Sequence, residues 1–125
     1  MNKTVGVLAL TLACGFSMNT YAQDKIDFSG NCSYPAKPQI VNGSTASEAE
    51  MIASQKEMKD YLALGNTFLE CLDKEMGLVK PDAPKEQADE FKARIDATHN
   101  AAVDDMNQIA ELFNAALRAY KGKNQ

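Results

Sequence analysis

Few residues in this chain have the types and spacing that chemistry needs. His99 is the only histidine. Asp96 lies three positions before it, and Asp104 and Asp105 follow a turn or more later, so a metal site is the first chemistry to weigh. Helical metal sites draw ligands from several helices, typically through paired Glu-x-x-His elements. Only one comparable element exists here, so His99 reads as a solvated histidine on a polar helix face. Acyl transfer would require a nucleophile and an orienting acid around the same imidazole. Ser44, Ser47 and Ser54 instead read as turn, cap and helix-surface residues. Met51, Met58, Met76 and Met106 suit a thioether metal site or an adaptable binding surface, but they recur at the spacing of helix packing. The Asp104–Asp105 pair and the basic tail read as solvated charge. The sequence therefore predicts no enzyme, no metal and no cofactor.

The cysteines carry a different chemistry. Cys32 and Cys71 are 39 positions apart, outside any Cys-x-x-Cys arrangement, which disfavours a redox catalyst. The third cysteine, Cys14, falls in an amino-terminal leader. Lys3 supplies a basic start, Val5 to Ala13 an apolar run too short to span a membrane, and Thr20 and Ala22 small residues at a cleavage site before Gln23. Residues 1–22 thus read as a secretory signal peptide. A lipid anchor on Cys14 is the less favoured alternative, because Thr11 stands where a lipobox prefers leucine. Cleavage leaves Cys32 and Cys71 as an even pair in an exported chain, the usual setting for a disulfide. It also removes Lys3 from 13 basic residues, leaving 12 against 17 acids and a net charge of −5. That acidity excludes a nucleic-acid binder, and no later stretch is apolar enough for a membrane span.

Two elements must position the cysteines. From Met51, the residues Gln55, Met58, Leu62, Gly65, Leu69, Leu72 and Met76 step by three and four, with Ile52, Tyr61, Leu64, Phe68 and Cys71 widening the stripe. Capping boxes are available at Thr45–Glu48 and Ser47–Glu50, and Gly77 suits the exit. A first helix is predicted over 46–76. Pro81 and Pro84 break the pattern over 77–83, and Asp82 is placed to cap the next helix. A second helix is predicted over 84–121 from Phe91, Ile95, Thr98, Ala102, Met106, Ile109, Phe113, Leu117 and Tyr120. Its acids gather at the start and its bases at the end, which favours the macrodipole. The short break makes the helices antiparallel neighbours.

Residues 23–45 have neither helical nor strand periodicity. The helix from Thr45 to Cys71 rises about 39 Å, and Cys32 to Thr45 in polyproline conformation spans about 40 Å. The match predicts an extended strap that runs from Cys71 back along the first helix, turns at Asn42–Gly43 and enters the helix. Tyr34, Ile40 and Val41 would fill the groove between the helices. The expected fold is all-α: an antiparallel two-helix hairpin with an N-terminal strap tied by one disulfide.

The series Cys32, Pro35, Pro38, Ile40 and Gly43, followed by Met51, Gln55, Tyr61 and the Cys71–Leu72 pair, resembles a family of short exported proteobacterial proteins that is uncharacterised. Val41 departs from it, standing where that pattern has proline. The resemblance covers residues 32–72; it implies the fold and export and carries no activity.

The expected role is structural, or in protein interaction, within the bacterial cell envelope, at a periplasmic or secreted location. A small-ligand or metal-binding periplasmic module is the competing reading. The predicted second helix outruns the first, so Phe113, Leu117 and Tyr120 form a candidate interaction surface for a protein partner or a second copy.

Overall fold

The structure, a computed structural model, describes residues 31–125. The predicted leader with Cys14, and residues 23–30 of the predicted strap, lie outside the described residues. Within them the chain forms an extended strap and two helices, with no strand. Helix α1 spans Glu48–Gly77 and helix α2 spans Lys85–Lys123. They pack antiparallel, and the strap lies along their seam.

Helix α1 starts at Ser47, whose side chain accepts the Glu50 amide while the Glu50 carboxylate accepts the Ser47 amide. Of the two boxes the sequence offers, this one forms. Thr45 is instead held in the preceding turn, its amide and hydroxyl both donating to the Asn42 carbonyl. The Ser47 hydrogen bonds hold the Glu50 carboxyl below its usual range. The far end differs from expectation. Gly77 remains helical and has no left-handed conformation; the helix is closed at Leu78, whose amide donates to the Glu75 carbonyl while the Val79 amide donates to that of Met76. Asp82 does not cap α2 either. Pro84 occupies the N-cap without a side-chain bond, its carbonyl accepting the Ala88 amide. Proline lacks an N–H, so its place at a helix start leaves one fewer donor to satisfy. Helix α2 continues past Tyr120 to Lys123, because Asn124 Nδ2 donates back to the Tyr120 carbonyl and Lys121 and Lys123 oppose the negative end of the dipole.

The buried face of α1 is Met51, Ser54, Tyr61, Gly65, Phe68 and Leu72. This is rotated from the predicted stripe. Gln55 is exposed, as are Ile52 and Leu64 at 61% and 57%. The strap supplies the reason: it covers the Ser54–Tyr61–Phe68 side, so α1 buries the flank between α2 and the strap rather than a face centred on α2. On α2 the buried residues are Ile95, Ala102, Ile109, Phe113 and Ala116.

Two clusters make up the core. One joins Cys32, Phe68, Leu72, Ile95 and Ala102, with Tyr34 and Phe91 packed against it. The other joins Ala46, Met51, Phe113 and Ala116, with Ile40, Val41, Met58, Leu117 and Tyr120 packed against it. Each contains strap residues, so the strap is part of the core.

Candidate functional site

The strap seam brings together most of the described residues that could do chemistry. At its amino end Cys32 and Cys71 are joined, with Cα atoms 5.7 Å apart. The bond fixes the strap to α1 where the length match places it. In the chain-entropy model a loop of this size stabilises the fold by about 4 kcal/mol.

Two residues on, Tyr34 turns into the groove. Its ring meets Phe68 edge-on at 5.0 Å and Tyr61 at 6.3 Å. Its hydroxyl donates to Asp105 Oδ2 on α2 at 3.1 Å. That uses its one proton, so the 2.7 Å bond to Tyr61 has Tyr61 as the donor. Lys37 closes the array from the strap, its ammonium 2.6 Å from Asp105 Oδ1. One carboxylate on α2 thus receives the strap through two side chains, and α1 joins through Tyr61. Asp105 is therefore an anchor rather than the solvated charge its sequence setting suggests. Burial pushes the Tyr34 phenol well above its ordinary range, with Tyr61 and Asp105 adding to the effect. A phenol held neutral in this way is a hydrogen-bonding group, not a nucleophile or a base.

The strap then reaches Ser54. This serine is buried, not on the helix surface, and its Oγ accepts the Val41 amide at 3.4 Å. Asn42 turns the chain: its carbonyl accepts the amides of Thr45 and Ala46, and its side chain accepts the amide and hydroxyl of Ser44. Gly43 lies against the α2 backbone, where a Cβ would stand 1.7 Å from the Ala116 carbonyl oxygen. No side chain fits between those two backbones, although the glycine φ is not positive. At the same end the Lys123 ammonium donates to the Ala46 carbonyl and sits 4.7 Å from the Tyr120 ring centroid.

These contacts change the reading of Phe113, Leu117 and Tyr120. Phe113 is buried in the second core cluster, and Leu117 and Tyr120 are half-buried against the strap and the start of α1. The overhang is covered because residues 40–47 continue beside α2 beyond the helical part of α1. Leu112, 49% exposed, remains on the outer side.

His99 is half-buried on α2, Asp96 is exposed, and no group of three or more His, Cys, Asp or Glu among the described residues is placed to hold a metal. Met51 and Met58 pack in one core cluster and Met76 in the other, while the Met106 thioether covers Gly65. The four sulfurs are thus spread along the hairpin as packing groups. Open grooves do exist. One of about 370 Å³ lies at the hairpin tip between Leu78, Val79 and Phe91, and one of about 380 Å³ lies beside the disulfide between Pro35, Leu64 and Phe68.

Sequence reasoning missed Asp105, Ser54 and Ala116. A lone serine within an apolar stripe facing a strap that needs acceptors was the available signal for Ser54. Asp105 and Ala116 have no local signal, since only the folded seam brings Lys37 and Gly43 to them. No family model, curated protein or solved structure matches this chain.

Proposed function

We propose that the mature chain is an exported, non-enzymatic helical module with a structural or protein-interaction role in the bacterial cell envelope. One observation carries the reading: a disulfide closes the strap over the hairpin and ties it into the core. Such bonds persist in oxidising compartments and stabilise chains whose cores are small. Among the described residues no helix is long and apolar enough to cross a membrane. The most elaborate polar array, Tyr61–Tyr34–Asp105–Lys37, is occupied in holding the strap. The residues behind the family resemblance support the same reading, since Cys32, Gly43, Tyr61 and Cys71 all lie at strap contacts. Partner contact would fall on the outer faces, where Ile52, Leu64, Leu78 and Leu112 are exposed.

Fractionation with intact-mass analysis tests this. The expected product is an exported chain beginning at Gln23, two hydrogens lighter than its dithiol form. A reduced cytoplasmic chain beginning at Met1 would overturn the proposal. A mass increment from lipid on a chain beginning at Cys14 would move it to a membrane surface. A stoichiometric metal in the purified material would favour the small-ligand or metal-binding alternative.

A further inference from the structure

The strap is fastened at its two ends by unlike means, and of the two only the amino end carries a reducible bond. The amino end depends on the disulfide, the Tyr34 contacts and a partly exposed ion pair. The carboxyl end is held by backbone: the Asn42 turn, the approach of Gly43 to Ala116, and the entry into α1 at the Ser47 cap. The groove of about 380 Å³ beside the disulfide is lined by Pro35, Leu64, Thr67 and Phe68 as well as the two cysteines. Leu64 on its wall is 57% exposed, so the groove opens to solvent. Within it Cys71 is half-buried, whereas Cys32 is 8% exposed.

We propose that the Cys32–Cys71 bond is a thiol-addressable latch on the amino half of the strap. A dithiol enters the groove and its thiolate attacks Sγ of Cys71, the more exposed of the two residues. A new S–S bond forms to Cys71, the Cys32–Cys71 bond breaks, and its electron pair leaves on Cys32 Sγ, which takes up a proton. The dithiol's second thiolate then attacks its own sulfur in the mixed disulfide and releases Cys71, which is protonated in turn. The dithiol is oxidised to a disulfide and the protein pair is reduced by two electrons. Residues 31–37 then keep only side-chain contacts against the conformational freedom they regain. They lift away, uncovering Tyr61 and Phe68, which Tyr34 covers in the closed state. Residues 42–46 stay docked as the hinge. The latch stands on the seam geometry and is independent of the proposed envelope role.

The test uses the full mature chain labelled with nitrogen-15, with dithiothreitol as the dithiol. Backbone relaxation of the oxidised protein should report residues 33–37 as ordered as the helices. Reduction should drop their order parameters into the flexible range, below about 0.6, while residues 43–46 and both helices keep theirs. A Cys32→Ser/Cys71→Ser variant should give the same pattern without reductant. Unchanged order at 33–37 after reduction, with both thiols confirmed free, would overturn the latch. So would loss of the helix signals together with the strap, because the strap would then not open separately. Trapping with glutathione addresses the point of attack: the mixed disulfide is expected on Cys71, and its recovery on Cys32 would contradict the groove assignment.

Discussion

The two halves of the strap show how one extended segment is held by two kinds of physics. The amino half, around Cys32 to Lys37, depends on side chains: a covalent bond, a ring set against two others, and a carboxylate shared by a phenol and an ammonium. The carboxyl half, Ile40 to Ala46, adds main-chain fastenings to the packing of Ile40, Val41 and Ala46: one amide on Ser54, a turn closed on the Asn42 carbonyl, and a glycine pressed against another helix. The side-chain half is strong only while its covalent member is intact. A partly exposed ion pair contributes about 0–1 kcal/mol and a hydrogen bond about 1 kcal/mol. Ordering each residue's backbone costs about 1–2 kcal/mol. The main-chain half has no single bond to lose, but it tolerates no added atom at Gly43.

The largest effect that separates the halves comes from the disulfide. Cys32→Ser with Cys71→Ser should lower the unfolding free energy by about 4 kcal/mol in urea titrations. Next is Gly43→Ala, whose methyl group meets backbone that cannot rotate away. It should cost toward the upper end of about 1–3 kcal/mol, with the disulfide still intact by mass. Asp105→Asn removes the charge that meets Lys37 and weakens the Tyr34 bond. A loss of about 1–2 kcal/mol is expected, shrinking as salt is added, because the ion pair is only partly shielded from solvent.

The same array sets an alkaline limit. The Tyr34 phenol is raised in the folded state, so its neutral form is favoured there. Its stabilising contribution is complete below the ordinary tyrosine value of about 10 and is lost as pH rises beyond it. Tyrosinate absorbance followed alongside circular dichroism should show Tyr34 ionising only as the fold opens. The smallest effect is expected at Gly65, which also lies at a tight contact. There a Cβ would meet the Met106 side chain, its sulfur at 2.6 Å. A thioether side chain can swing aside, and alanine gains helix propensity of about 1 kcal/mol over glycine. Gly65→Ala should therefore fall within about 1 kcal/mol of the parent. Two glycines with short contacts should thus respond differently, because one faces backbone and the other a flexible side chain.

Much of this fold was legible in the sequence. Helix positions followed from three-and-four spacing and from the prolines at 81 and 84. The strap followed from a length that matches the helix it crosses. Local patterns could not give the rotation of the α1 face, since a periodic stripe does not say on which flank a third element will lie. Ile52 and Leu64 looked like core for that reason, and Ser54 looked like surface. The candidate surface at Phe113, Leu117 and Tyr120 rested on helix lengths alone. Counting the strap's own length beside α2 removes that overhang. The Asp105 anchor required knowledge of which α2 turn faces Lys37, which is a property of the tertiary seam.

The central claim is that the two fastenings act independently on one strap, and a double-mutant cycle tests it most directly. The unfolding free energies of the parent, the Cys32→Ser/Cys71→Ser variant, Gly43→Ala and the combination are measured by urea titration in one buffer. Cys32 and Gly43 are 11 steps apart along an extended segment, about 34 Å in polyproline conformation, so no direct contact should couple them. Independent fastenings predict losses that add within about 0.5 kcal/mol. A coupling energy well beyond that, of about 1.5 kcal/mol or more, would mean that the strap docks as a single cooperative unit and would contradict the account.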